Sequence, residues 1–203
     1  MSLNINAEVG QVITFGTYPQ SDVTGVKAEP IAWKVLAVKD GKALLITEKG
    51  IDNVMFHNGN MNVTWETCDM RKWLNGEFMD KAFNAEEKAA IVTTTLQTPD
   101  SKVRGALGAG ETEDKVFVLS IDEVNELFAS DEDRAAKATA YAIAKGAFVH
   151  KSNNNCWFWL RSPGYYQSDA AGVNYNGFVH ESGDNVSSPS DAVRPSVWIQ
   201  LQA

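Results

Sequence analysis

Cysteine and histidine are the residue types in this chain that could act as nucleophiles, bases or metal ligands. The 203-residue sequence contains two cysteines, Cys68 and Cys156, and neither belongs to a CxxC pair. Cys156 lies in the run Asn-Cys-Trp-Phe-Trp, which predicts a buried and chemically inert thiol. Cys68 opens a predicted amphipathic helix, whose N-terminus would stabilise a thiolate, so it is the better chemical candidate. Packing is the favoured role of both thiols, and a single disulfide between them is the alternative.

The three histidines, His57, His150 and His180, are far apart in the sequence and show neither HxH nor HExxH spacing. The acidic runs lack the spacing of a calcium-binding loop, and no serine lies in a GxSxG elbow. We therefore predict no metal site, no cofactor and no catalytic constellation. His180 is the histidine of most interest, because it lies within a segment rich in tyrosine and asparagine.

Two arginines and three tryptophans near the C-terminus are predicted to be structural. Arg161 and Arg194 each interrupt an apolar strand, where a guanidinium is costly to bury without partners. We expect both to brace loops by bonding carbonyls or carboxylates. Trp157, Trp159 and Trp198 are expected to form the rigid aromatic support beneath the neighbouring polar residues.

Residues 153–191 form the predicted binding segment of the chain. Ala170, Ala171, Val173 and Phe178 are expected to be fixed by packing, whereas the tyrosine, asparagine, glutamine, serine and histidine side chains from Tyr165 to His180 are expected to face outward. Tyrosine provides stiff contact area, and serine and asparagine provide adaptable hydrogen bonds, as in many binding surfaces. An ordinary polar sheet end is the alternative interpretation. The predicted ligand-binding residues are Asn153, Asn154, Tyr165, Tyr166, Gln167, Asn174, Tyr175, Asn176 and His180.

The pattern of the chain predicts a single α+β domain over residues 1–203, with strands at both ends and helices between them. Asp40-Gly41 predicts a tight β-hairpin turn in which Trp33, Val35 and Ala37 share one face. Helices are predicted around Met70–Leu74 with Gly76 as a stop, after the caps Asn84 and Ser120, and across residues 130–146. We expect small mixed sheets, paired terminal strands and two or more flanking helices.

Composition excludes some partners. The net charge of −8 disfavours a phosphate backbone, so we predict no nucleic-acid binding. No apolar run is long enough to predict a membrane span, and the N-terminus lacks the pattern of a signal peptide. We expect an extracellular or cell-surface location if a signal peptide has been removed, and a cytoplasmic one otherwise. The oligomeric state is left open.

Seven motifs follow one another along the chain: FGTYPQ, EPIAWKVL, ALLITEKGID, TWETCDMRKWLNGEF, VFVLSIDEV, WFWLRSPG and AVRPSVWI. Together they resemble a bacterial domain family of unknown function with a C-type-lectin-like fold. The C-terminal pattern is also similar to variable proteins diversified by retroelements, in which an aromatic-rich scaffold carries substituted ligand-binding residues. This resemblance implies the same nine binding residues named above. The calcium-binding triplets of sugar-binding C-type lectins are absent, since Glu29-Pro30 is followed by Ile31.

These patterns lead to three hypotheses. The favoured one is a non-catalytic module that binds a protein or glycan partner through the predicted binding segment. The first alternative is an enzyme similar to formylglycine-generating oxidases, whose chemistry needs a suitably placed cysteine pair, whereas Cys68 lies early in this chain and Cys156 late. The second alternative is a structural domain of a larger surface protein.

Overall fold

The computed structural model describes residues 7–201 and confirms a mixed α+β fold with several small, mostly antiparallel sheets. The strands are β1 (Val12–Pro19), β2 (Ala28–Lys39), β3 (Lys42–Thr47), β4 (Asp52–Asn53), β5 (Thr94–Thr98), β6 (Gly110–Asp114), β7 (Val116–Phe117), β8 (Phe158–Pro163), β9 (Asp169–Val173), β10 (Val179–Asn185), β11 (Ala192–Val193) and β12 (Ser196–Gln200). The helices are α1 (Asp69–Trp73), α2 (Met79–Ala82), α3 (Ala85–Ala90), α4 (Ile121–Leu127), α5 (Asp131–Arg134) and α6 (Ala140–Ala144), with a π-helical turn at Leu74–Phe78.

The first sheet has the strand order β1-β2-β3-β12-β7. The predicted hairpin joins β2 to β3, and Asp40 and Gly41 both have positive φ, at 51° and 69°, as a two-residue turn of this type requires. Trp33 and Val35 are buried, but a bulge after Val35 reverses the alternation, so Ala37 is only half-buried.

The terminal strands share this sheet without pairing with each other. β12 lies between β3 and β7, where Val197 is opposite Leu45 on one side and Val116 on the other. β1 pairs only with β2 within the first sheet and forms its edge. The expectation of paired terminal strands is therefore wrong, because the β2–β3 hairpin separates β1 from β12.

The second sheet has the order β10-β9-β8-β11-β4, which makes β10 an edge strand. β8, β9 and β10 follow one another as an antiparallel meander, so their connecting loops lie at opposite ends of β9. β10 carries a bulge between His180 and Asp184. Gly183 in this bulge has a φ of 68°, and a Cβ atom there would lie 2.0 Å from the carbonyl oxygen of Ala170.

Local helix signals predict some elements well and others poorly. Asn84 and Ser120 each form a complete capping box, with Glu87 and Glu123 respectively. Gly76 does not stop the first helix, since the helical path continues to Ala82 and buries Phe78 and Ala82.

The single helix predicted across residues 130–146 is wrong. The segment forms α5 and α6, separated by an extended stretch in which Lys137 bridges Asn155 and Ala138 bridges Gly50. Thr139 then caps the second helix. These bridges to distant parts of the chain replace the helical hydrogen bonds that the local sequence favours.

One cluster of buried side chains joins both sheets and the helices. Trp33 contributes from the first sheet, Trp159 from the second, and Trp65 from the segment before α1. Within residues 7–201, no helix has the length and apolar content needed to cross a bilayer.

Candidate functional site

The three tryptophans predicted to be structural occupy different settings. Trp159 is buried next to Phe56, with ring centroids 5.8 Å apart. Trp157 is half-buried and packs on Phe148 at 4.5 Å. Trp198 is half-buried on β12, away from the other two in the first sheet. Trp198 therefore does not join Trp157 and Trp159 in one aromatic support.

Arg161 is buried and bonds atoms from several elements. Its guanidinium donates to both carboxylate oxygens of Glu123, at 2.7 Å for Oε1, and to the carbonyl oxygens of Val118 and Gln97. Its Nε atom also donates to Thr98 Oγ1 at 3.2 Å. This arginine holds the β5–β6 hairpin and α4 against β8.

Arg194 is buried as well, but it bonds backbone rather than carboxylate groups. It donates to the carbonyl oxygens of Thr47 at 2.7 Å and Arg134 at 3.0 Å. Its guanidinium also lies over the rings of Phe128 and Phe158, and burial lowers the pKa of Arg194 to about 10. The side chain links the two sheets to α5.

Both cysteine thiols are free and buried, so they do not form the alternative disulfide. Cys68 caps α1, where its sulfur accepts from the amide of Arg71 at 3.4 Å, and Cys156 donates to the carbonyl oxygen of Ala136 at 3.3 Å. Burial raises the pKa of each thiol to about 12. For Cys68, this burial outweighs the expected activation by the helix N-terminus, so neither thiol is set up as a nucleophile.

The histidines lie apart in three dimensions too. His57 contacts Asp69, His150 stacks on the ring of Tyr175 at 4.0 Å, and His180 lies on β10. Among residues 7–201, no three histidine, cysteine, aspartate or glutamate side chains come together as metal ligands.

The nine predicted binding residues do not form one patch. Tyr165, Tyr166 and Gln167 lie in the β8–β9 loop, whereas residues 174–176 lie in the β9–β10 turn at the other end of β9. At about 3.3 Å per residue, β9 itself spans roughly 13 Å, and the two groups lie beyond its opposite ends. His180 lies between them on β10.

The first group contains an arginine that the sequence did not single out. Arg104 lies over the rings of Tyr165 and Tyr166, at 4.8 and 5.1 Å from their centroids, and the two rings meet edge to face at 4.8 Å. Hydrogen bonding to Tyr165 raises the pKa of Arg104 above its usual value. We call Arg104, Tyr165 and Tyr166 the arginine–tyrosine cluster.

Gln167 is not free to contact a ligand. Its Nε2 atom donates to the carbonyl oxygens of Val63 and Leu107, both at 3.0 Å, and its Oε1 atom accepts from the amide of Leu107 at 2.7 Å. Gln167 was expected to face outward, but it is half-buried and its side-chain amide is engaged with backbone groups. The side chain instead ties residues 99–109 to the β8–β9 loop and so fixes the position of Arg104.

The second group is built largely around turns. Asn153 Oδ1 accepts from the amide of Asn155, and Asn176 Oδ1 accepts from the amide of Phe178. Asn154 is exposed in the left-handed region at φ 58°, a conformation that asparagine tolerates. Tyr175 is half-buried against His150, and Asn174 is half-buried at the start of the turn. Asn153, Asn154 and Asn176 remain exposed at this end, but all three lie in or next to turns rather than on a strand.

An open groove of about 470 Å³ follows β10. One end lies near residues 165–167 and the other near residues 174–176. One wall consists of the consecutive residues Phe178–Ser182, and the other of Val103, Asn125, Asp131 and Arg134. The amide of Tyr165 donates to Ser182, which brings the arginine–tyrosine cluster to one end, and Arg134 donates to Gly177 at the other. We call this feature the β10 groove.

The groove runs along the edge of β10 rather than over one face of the sheet. Successive side chains of a strand point to opposite faces, so a groove on one face would be lined by every second residue. Here five consecutive residues line it.

Phe178 is 53% exposed in this groove, although packing was expected to bury it. Gly177 takes the close contact instead, since a Cβ atom there would lie 1.6 Å from the carbonyl oxygen of Asp131. The next residue, Phe178, is therefore left at the surface.

A smaller open groove of about 270 Å³ lies elsewhere, beside the β2–β3 turn. It is lined by Trp198, Lys39, Lys42 and residues 92–95. It contains none of the nine predicted binding residues, and it has neither an exposed strand edge of the second sheet nor the arginine–tyrosine cluster.

Comparisons with known proteins give one family and no individual relative. No curated protein and no solved structure matches the chain. A family described as a domain of unknown function, DUF6273, matches residues 40–201, from the β2–β3 turn to the end of β12. This match includes every residue of the β10 groove and of the arginine–tyrosine cluster. The chain therefore belongs to the DUF6273 family.

Proposed function

We propose that this protein is a non-catalytic module that binds a protein or glycan partner in the β10 groove and on the adjoining arginine–tyrosine cluster. The observation that carries this proposal is the presence of exposed apolar side chains in the groove, Val103 and Phe178, and in the adjoining cluster, Tyr166. Val103 is 41% exposed, Phe178 53% and Tyr166 55%. Apolar residues grouped beside a groove and surrounded by polar ones are typical of interaction sites.

Preorganisation supports the same proposal. The two tyrosine rings and the guanidinium of Arg104 hold one another in place, and Gln167 fixes the backbone that carries Arg104. A surface whose side chains are already ordered loses less conformational entropy when a partner binds. Tyrosine and arginine are also the residues that most often dominate binding energy at interfaces.

The thiols speak against the enzyme alternative. An oxidase centred on cysteine needs an accessible thiol that ionises readily, whereas Cys68 and Cys156 are buried with pKa values raised to about 12. They also pack in different parts of the core, against Trp65 and Ala136 respectively.

The narrower form of the proposal is a C-type-lectin-like scaffold whose binding segment is diversified by a retroelement. The exposure of Asn153, Asn154, Tyr166 and Asn176 is compatible with substitution at these positions. This form predicts a near-copy of the sequence encoding residues 153–191, and a reverse-transcriptase gene beside it. A genome neighbourhood with neither would remove this form and leave the binding module in place.

A longer reading frame with further domains would favour the structural-domain alternative.

The binding function can be tested by screening the full chain against a glycan array and a display library of random ten-residue peptides. We expect at least one ligand class to bind, and the double variant Tyr165→Ala/Tyr166→Ala to bind it at least tenfold more weakly. A matched control, Val23→Ala/Val26→Ala, removes exposed apolar side chains from the β1–β2 loop and should bind normally. Circular dichroism should show that all three proteins are folded. Unchanged binding by the tyrosine variant would place the site elsewhere, and no binding in either screen would reject the function.

A further inference from the structure

We infer that the free edge of β10 binds a short extended peptide as an additional strand, with a basic side chain of the peptide opposite Glu181. This inference rests on the proposed binding function and specifies its partner. Extended peptides commonly bind by adding to an exposed sheet edge, where backbone hydrogen bonds give affinity and side-chain contacts give specificity.

The hydrogen-bond pattern shows which backbone groups are available. The amide of Asn174 donates to Phe178, and the amide of Tyr165 donates to Ser182, so both acceptors point toward the sheet. Alternation along an antiparallel edge strand therefore turns the N–H and C=O groups of Val179 and Glu181 outward. Within residues 7–201, no loop or side chain is seen to bond these outward groups.

The groove beside this edge has room for such a strand. Its far wall is formed by the loop at Val103 and by α4 and α5, and the space between the walls is about 470 Å³. A neighbouring strand lies about 4.8 Å away in a sheet, so an added strand would occupy the space between β10 and this far wall. The groove is limited by the bulge at Gly183 at one end and by the Arg134–Gly177 contact at the other. Residues 178–182 line it between these limits, so it fits about five peptide residues.

The charge of Glu181 favours a basic residue in the bound peptide. Glu181 is exposed on the strand edge. Lys102 lines a small cleft with it and interacts with its charge, but the ammonium of Lys102 is hydrogen-bonded to Asp122 at 2.5 Å rather than to Glu181. Arg134 is paired with Asp131 and also donates to Gly177, so it does not provide a free cation in the groove. The whole chain has a net charge of −8, which further attracts a basic peptide.

The exposed ring of Phe178 favours an apolar residue in the bound peptide. It directly precedes β10, three positions before Glu181, and Val103 lies across the groove from this strand. A bound peptide should therefore carry an apolar and a basic residue three positions apart. The basic residue comes first if the peptide runs antiparallel to β10, and the apolar residue comes first if it runs parallel.

The test uses the full chain and the same ten-residue peptide library. We expect enriched peptides to share this apolar and basic spacing. A synthetic peptide of the enriched sequence should bind Glu181→Lys at least tenfold more weakly, and replacing its basic residue with glutamate should restore binding to that variant. A set of peptides, each N-methylated at one position, should show losses of at least tenfold at alternate positions only, because an added strand directs every second N–H toward its neighbour.

The outcomes separate this inference from the proposed function. If no peptide is enriched but a glycan binds in a manner that depends on Tyr165 and Tyr166, the edge-strand inference is wrong and the binding function stands. Enriched peptides without the spacing, insensitivity to Glu181→Lys, or N-methylation losses without a period of two would also overturn the inference. If neither library gives a ligand, both proposals fail.

Discussion

The side-chain amide of Gln167 bonds both backbone groups of Leu107: its Oε1 accepts from the amide at 2.7 Å, and its Nε2 donates to the carbonyl oxygen at 3.0 Å. A third bond, to Val63, ties this pair to the segment before α1. Through these bonds, one glutamine positions the loop that carries Val103 and Arg104. The geometry of the proposed binding surface thus depends on a residue that does not face the ligand.

Replacing this glutamine should loosen the loop. We expect Gln167→Ala to lower the free energy of unfolding by about 1–2 kcal/mol, because it leaves backbone groups of Leu107 and Val63 without their partner. Amide hydrogen exchange of residues 103–109 should accelerate. The control is Gln97→Ala, whose exposed side chain bonds Glu111. Equal protection of the loop in both variants would show that Gln167 does not hold it.

The buried cysteines should react with thiol reagents only when the protein unfolds. With pKa values raised to about 12, both thiols are protonated at neutral pH, and neither is accessible. We expect labelling of native protein at pH 8 to be at least a hundredfold slower than labelling in denaturant, with both sites following the unfolding rate. Rapid modification of Cys68 or Cys156 in the folded protein would contradict this burial and revive the enzyme alternative.

Asp191 should make stability fall as the pH rises. Burial, aided by the nearby charge of Asp184, raises the pKa of Asp191 from 3.8 to about 7. The folded protein therefore holds a proton that the unfolded chain releases above about pH 4, and this contribution is lost as the pH rises through 7. At pH 8, ionisation of Asp191 in the folded protein lowers the free energy of unfolding by roughly 4 kcal/mol relative to pH 3.

The variant Asp191→Asn tests this directly. It should be more stable than the parent at pH 8 and similar to it at pH 4, in urea unfolding monitored by fluorescence. The exposed Asp122→Asn should show no comparable change in pH dependence. A parent protein whose stability rises between pH 4 and pH 7, with Asp191→Asn following the same curve, would disprove the assignment.

The Arg161–Glu123 pair should be sensitive to loss of one charge. Glu123→Gln keeps an oxygen to accept from the amide of Ser120, so the capping of α4 is preserved while the buried guanidinium loses its counter-charge. We expect a destabilisation of about 2 kcal/mol, because a buried charge without its partner is costly. Glu126→Gln, on the exposed side of the same helix, should change stability by less than about 0.5 kcal/mol.

The features that the sequence predicts well are those determined by a few neighbouring residues. Asp40-Gly41 provides the positive φ angles of a tight turn, and the Asn84 and Ser120 caps satisfy helix-start amides within their own first turns. The mixed α+β class follows from the same signals. The helix predicted across residues 130–146 is broken by bridges to Gly50 and Asn155, contacts that no local pattern reveals.

The candidate site shows the same limit. Tyrosines and asparagines can be singled out by type as candidates for binding, but their division between the two ends of β9 follows from strand pairing. Arg104 and Val103 reach the site from about sixty residues earlier in the chain, through the bonds of Gln167. The spacing of glycines indicates turns, yet it does not show that Gly177 packs on α5 and so leaves Phe178 exposed.

The bulge at Gly183 has a consequence for the behaviour of many copies of this protein in solution. A straight edge strand invites an identical strand from a second molecule, and repeated pairing of that kind leads to fibrils. Here the bulge at Gly183 interrupts the regular hydrogen-bond pattern between His180 and Asp184. Pairing of two copies would also bring the like charges of Glu181 and Asp184 together. Concentrated solutions should therefore stay free of sheet-based aggregates, even though residues 178–182, before the bulge, remain available to the short basic peptide inferred above.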